Sequence, residues 1–184
     1  TAFLPNNVEK TEQDIGGVVC DVLSPEIYAQ NRVLVYVHGG SFVGGSRSSW
    51  RSFCASLANA SSTKLLLPEI RLAPEFPFPS AFEDIRDVLN AVLKTDKDII
   101  LSGDASGAAI ALASALDAPE AVRNRLQSIV LFSPWLDLSP ESPLFLLKKV
   151  SDEILSADCI KRCADLYTYR SNLDNPSVSP MYAS

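Results

Sequence analysis

Apolar and polar positions along this chain alternate between two periodicities. Arg32-Val33-Leu34-Val35-Tyr36-Val37-His38 is a continuous apolar run, of the kind that forms a strand buried on both faces. Shorter runs at residues 63–68, 98–101 and 128–132 have the same character. Between them, Trp50, Phe53, Cys54, Leu57 and Ala58 recur at helical spacing within residues 48–60. Two further helices are predicted, over 80–93 after the Pro77–Pro79 turn and over the small-residue stretch 108–116. Residues 8–25 hold two extended runs parted by Gly16-Gly17, which predicts an antiparallel edge pair. Strand and helix signals alternate for most of the length, so the fold class is α/β, a mostly parallel sheet flanked by helices.

After Ser133-Pro134-Trp135 the pattern changes. Residues 139–143 read as a loop, and 156–169 as an amphipathic helix with Ile160, Cys163, Ala164 and Tyr167 on one side. That helix breaks the strand-helix alternation and is placed in a cap above the sheet. The division expected is a core over 1–138, a cap segment over 139–175 and a return loop over 176–184. No internal repeat or low-complexity tract is present.

With 184 residues, 47% of them hydrophobic, the chain can bury one core. A net charge of −6 argues against nucleic acid or an anionic membrane as partner. No apolar run approaches the ~18 residues of a membrane span. Thr1-Ala2-Phe3-Leu4-Pro5 does not read as a signal peptide, and the cytoplasm is the default compartment. Cys20, Cys54, Cys159 and Cys163 are too scattered for a disulfide framework. Cys159 and Cys163 can share a helix face, but the single histidine lies elsewhere, so neither a metal nor a cofactor is expected.

The chemistry concentrates in Ser102-Gly103-Asp104-Ala105-Ser106-Gly107-Ala108. A G-x-S-x-G turn between a strand and a helix presents a nucleophilic serine, with glycines two positions to either side so that strand and helix approach closely. Gly103 and Gly107 are those glycines, and the residue midway is Ala105, which has no hydroxyl. Moving the frame to Ser106 would place Asp104 and Ala108 where glycines are needed.

Three more segments keep order with this turn: His38-Gly39-Gly40-Ser41-Phe42 after the third strand, Arg71-Leu72-Ala73-Pro74-Glu75 after the fourth, and Ser133-Pro134-Trp135-Leu136-Asp137 after the sixth. Together they resemble the hormone-sensitive-lipase-like esterases of the α/β-hydrolase superfamily, across essentially the whole chain. The resemblance implies a carboxylic-ester hydrolase working through an acyl-enzyme, with Ala105 in the nucleophile's position. It assigns the oxyanion-stabilising N–H groups to Gly39, Gly40 and Ser106. Ser41 departs from the usual third glycine. His38 is implied to hold the oxyanion loop, Arg71 and Glu75 to form an ion-paired clamp, and Asp104 to serve as a hydrogen-bonding residue of the turn. Phe42, Trp135, Leu136 and the 142–170 region are expected to line an apolar pocket for a small hydrophobic ester.

In the resembled family the order is serine, then Asp or Glu, then His. Asp137 comes too early to be that acid, and no histidine follows Ser133. The C-terminal part of the fold, roughly a third, is therefore expected to lie outside this chain, on a companion polypeptide carrying the acid and the base. The alternative is a non-catalytic small-ligand receptor on the same scaffold, similar to plant gibberellin receptors. A pseudoenzyme acting only through protein contacts is the remaining option.

Overall fold

A computed structural model describes residues 4–139, 142 and 154–183. Six strands form one sheet in the order β1-β2-β4-β3-β5-β6. Strand β1 (Val8–Ile15) and β2 (Val18–Pro25) are the expected antiparallel edge pair, turning at Gly16 and Gly17. Strand β2 also runs antiparallel to β4 (Thr63–Pro68). The remaining ladders, β4 with β3 (Ala29–Val37), β3 with β5 (Asp98–Asp104) and β5 with β6 (Leu126–Phe132), are all parallel.

The apolar run of β3 does what its pattern requires. Val33, Val35 and Val37 point into the larger core, and Leu34 and Tyr36 point into the smaller one on the opposite face. Helix α1 (Arg47–Ser61) covers the smaller core with Cys54, Ala55 and Ala58. Its start is fixed by Ser46, whose hydroxyl accepts from the Ser49 N–H. Helices α2 (Ser80–Leu93) and α3 (Ala105–Asp117) cover the larger core, α2 through Ile85, Val88, Leu89 and Val92, and α3 through a surface of alanines.

Two boundaries differ from the sequence pattern. The strand expected at 98–101 runs on to Asp104, and the helix expected at 108–116 begins at Ala105, because strand and helix meet with no connecting loop. A one-turn helix α4 (Glu120–Arg123) is too short to show periodicity. Helix α5 (Ala157–Tyr167) replaces the longer helix expected over 156–169; Thr168 is extended and ends it. Two short 3-10 turns, Arg170–Asn172 and Pro180–Tyr182, bracket residues 173–179. Most of the 139–143 loop, and the 143–153 part of the expected pocket region, lie outside the described residues. No helix among the described residues is long and apolar enough to cross a membrane.

One buried charge ties the β1–β2 edge to α1. Asp21 on β2 is fully buried and receives Arg47 at 2.8 Å and Arg51 at 2.6 Å, with Lys10 at 3.8 Å. Arg47 reaches Glu12 and Glu69 as well, so the cluster spans β1, β2, α1 and the end of β4. Removing the carboxylate takes from Arg51 its carboxylate partner and from Arg47 the buried one of its three, and Asp21→Ala is expected to lower unfolding stability by about 3 kcal/mol in urea titrations.

Burial also separates the cysteines. It pushes the Cys20 thiol up to about 12, and it raises Cys54 as well, whereas Cys159 is exposed. Because the thiolate is the reactive form, a raised pKa means less nucleophile at a given pH. At pH 8, a disulfide reagent is expected to label Cys159 within the folded protein and Cys20 and Cys54 only on unfolding. The stability that the neutral Cys20 thiol contributes is full below its ordinary pKa of 9.0 and is lost as pH rises toward about 12.

Candidate active site

Strand β5 ends in an extended Asp104, and the chain reverses into α3 through Ala105 at φ 47°. A left-handed conformation in a residue with a Cβ costs about 1–2 kcal/mol, so the surroundings must hold it. Two glycines and one loop do so. A Cβ at Gly103 would stand 2.6 Å from the Val37 carbonyl oxygen, and one at Gly107 would overlap the carbonyls of Val37 and His38. The turn is therefore pressed directly on the end of β3. From the other side the Trp135 N–H donates to the Ala105 carbonyl at 3.0 Å. Ser106 is buried, and its Oγ accepts from the Phe42 N–H at 3.1 Å, which commits that hydroxyl to the neighbouring loop.

The loop at residues 38–45 lies against this turn and is pinned by Asp104. A single carboxylate oxygen, Asp104 Oδ1, accepts from the Gly39 N–H at 2.9 Å, the Tyr36 hydroxyl at 3.0 Å and the Trp50 indole N–H at 2.9 Å. The Gly39 N–H expected to stabilise an oxyanion is thus already occupied. The N–H groups of Gly40 and Ser41 have no acceptor among the described residues. Gly40 sits at φ 126°, where a Cβ would overlap the Gly44 carbonyl, and that carbonyl end of the loop closes on Gly40 through the Gly44 N–H at 2.9 Å.

Ser41 and Phe42 follow at φ 56° and 67°, two consecutive side-chain-bearing residues in the left-handed region. His38 is buried with Nδ1 2.7 Å from the Gly39 carbonyl and its ring over Trp50, centroids 5.1 Å apart. Its Nε2 is buried with no partner among the described residues. The ring also fills the space a side chain at Gly45 would need. These contacts make His38 a strut of the loop.

The apolar residues expected to line a pocket separate into two kinds. Phe42 is 2% exposed and stacks on Tyr167 of α5, centroids 4.0 Å apart and planes 16° apart, so its ring belongs to the core and not to an open wall. Trp135 and Leu136 are half-buried; Trp135 packs on Phe42 at 5.3 Å, and the Leu136 carbonyl accepts from the Met181 N–H at 3.2 Å. Tyr167 was legible only as a core-facing helix residue. Tyr36 and Trp50 carried no sequence signal for a role at Asp104, because neither stands near it in the chain.

The expected clamp has a different partner. Arg71 binds Asp84 through Nε at 2.8 Å and through its backbone N–H at 2.7 Å, while Glu75 is exposed and pairs with no cation among the described residues. Asp84 faces inward from the first turns of α2, within reach of a loop that doubles back over it. Glu75 stands on the outside of that loop. No group of three or more His, Cys, Asp or Glu among the described residues could hold a metal ion.

Beside Asp104 lies an open hollow of about 510 Å³, lined by Tyr36, Ser49, Trp50, Phe53 and Phe132. It borders the free side of β6, where Ile129, Val130 and Phe132 are each more than a third exposed.

A family model described as the α/β-hydrolase fold matches residues 34–184. An esterase of Acinetobacter venetianus is 33% identical over 168 residues, 88% of this chain and 55% of that protein. An acetyl-hydrolase of Streptomyces hygroscopicus is 30% identical over 154 residues, 82% of this chain and 52% of that protein. The crystal structure of an esterase from the bacterial hormone-sensitive lipase family superimposes with a TM-score of 0.87 at 26% identity, over 98% of this chain and 62% of that one. The chain thus spans about half the length of the curated relatives it matches.

Asp104→Ala is expected to leave three donors without their acceptor and to lower stability by roughly 2–4 kcal/mol in urea unfolding. Trp50 emission should shift in the folded state, since the indole loses its hydrogen bond.

Proposed function

Because the chain belongs to the α/β-hydrolase family, in its hormone-sensitive-lipase-like esterase branch, we propose that it is the larger part of a carboxylic-ester hydrolase whose nucleophile position is held by Ala105. The observation that carries this reading is the left-handed Ala105 at a strand-helix junction, beside the unpartnered N–H groups of Gly40 and Ser41. With serine at 105, Oγ would bond to the acyl carbon as its proton passed to a base. The carbonyl oxygen would take up negative charge. Collapse would expel the alcohol, which recovers the proton, and water would then release the acid from the acyl-enzyme.

The oxyanion is held, in this reading, by the N–H groups of Gly40, Ser41 and Ser106, one step along the loop from the pair that motif matching favours. The Gly39 N–H has its acceptor in Asp104 and serves to hold the loop. Losing one such donor typically costs about 2.7–4 kcal/mol of transition-state stabilisation. His38 is a poor base here, with Nδ1 turned to the Gly39 carbonyl and its ring buried against Trp50. The base and its acid partner are assigned to a further stretch of polypeptide that pairs with β6 and covers the hollow beside Asp104. The exposed apolar side chains of β6 support that docking.

The core, cap and return loop keep the boundaries 1–138, 139–175 and 176–184. Supporting this division, Tyr167 brings the cap down on Phe42, and Met181 returns the chain to Leu136. Short acyl esters are the favoured substrates, in line with the acetyl-hydrolase relative and with the half-buried Trp135 and Leu136 as apolar lining. The second reading, a small-ligand receptor, is favoured by the missing hydroxyl and by the similarity of the His38–Phe42 run to that of plant gibberellin receptors, one of which, from Arabidopsis thaliana, is 36% identical over 110 residues.

Ala105→Ser, made in a protein that includes the stretch pairing with β6, is expected to raise hydrolysis of a chromogenic acetate ester by about 10⁴-fold or more. Unchanged hydrolysis with an intact fold, together with saturable binding of the uncleaved ester, would select the receptor.

A further inference from the structure

Ser41 and Phe42 pose a problem that the glycines of the loop do not solve. Both carry side chains at φ 56° and 67°, and Ser41 stands where a third glycine would relieve the backbone. Besides the packing of Trp135, three contacts converge on Phe42. Its N–H donates to Ser106 Oγ, its carbonyl accepts from the Ala73 N–H at 3.0 Å, and its ring lies on Tyr167. The first two come from the core. The third comes from α5, on the far side of residues 139–156.

Tyr167 is itself held twice by Phe78. Its ring meets Phe78 edge-on at 5.9 Å, and its carbonyl accepts from the Phe78 N–H at 2.7 Å. The residue is 2% exposed. Burial raises its pKa, so the neutral phenol persists and contributes chiefly as an aromatic face.

We propose that Tyr167 is a positioning residue for the proposed active site: its stack on Phe42 holds the left-handed Ser41-Phe42 pair, and so fixes where the free N–H groups of Gly40 and Ser41 sit. The inference rests on the esterase reading for its catalytic consequence, but not for its structural one. A phenyl ring alone suffices for the stack. An aliphatic side chain of similar bulk keeps the burial and forfeits the face-to-face contact.

The test uses the full-length protein with Tyr167→Leu and Tyr167→Phe, each with and without Ala105→Ser. Amide hydrogen exchange is read over residues 40–45, with residues 29–37 of β3 as the internal control. Tyr167→Leu is expected to speed exchange in the loop about threefold to tenfold while β3 is unchanged, and Tyr167→Phe to leave both as they were. In the Ala105→Ser background, Tyr167→Leu should lower kcat by the same factor with KM nearly constant.

Equal acceleration in loop and β3, or none in either, would overturn the proposal. Loop acceleration without any hydrolysis in the Ala105→Ser background would sink the esterase reading and leave the stack's role standing. Hydrolysis at full kcat in Tyr167→Leu, with a quiet loop, would do the reverse. Should Tyr167→Leu fail to fold, Phe42→Leu removes the stack from its other side and is judged against the same control.

Discussion

The geometry around position 105 depends on one carboxylate oxygen. Asp104 Oδ1 gathers donors from β3, from the loop after it and from α1, three consecutive elements that lie 54 to 68 residues before it in the chain. A charged acceptor strengthens each of these bonds relative to a neutral one. Because Asp104 is the last residue of β5 and the residue before the left-handed turn, the same group that collects these elements also orients the turn. Gly103 and Gly107 set how close the turn comes to β3; Asp104 sets what it carries with it.

Close approach explains why glycine is needed at some positions and only tolerated at others. At Gly107 the neighbouring atoms are backbone carbonyls of Val37 and His38, which cannot rotate aside. Near Gly17, by contrast, a Cβ would meet nothing within 4 Å, and only its φ of 87° favours glycine. The first is a packing constraint between β3 and α3, the second a local property of a hairpin.

Much of the fold was legible because both periodicities report burial directly. The alternation in β3 sends Val33, Val35 and Val37 one way and Leu34 and Tyr36 the other, as a strand between two cores must. The spacing of Gly103 and Gly107 located the turn for a similar reason. What resisted reading was partner choice. Gly39 and Gly40 look alike in sequence, and only the approach of Asp104 distinguishes a donor that is occupied from one that is free. Glu75 and Asp84 are equivalent charges near Arg71, and the path of the loop decides between them. Phe42 is an aromatic two positions after Gly40, yet Tyr167, 125 positions later, places it in the core.

The hollow at β6 gives the carboxylate a second significance. Tyr36, Trp50, Phe53 and Phe132 wall a space in which Asp104 is the one ionisable acid of the lining, and the space is open to water. Whatever packs against the free side of β6 also removes water from that carboxylate. In a drier setting its hydrogen bonds to Gly39, Tyr36 and Trp50 are electrostatically stronger. Extension of the sheet and stiffening of the turn at Ala105 would then be a single event, in which a neighbour gained by the sheet is rigidity gained by the site.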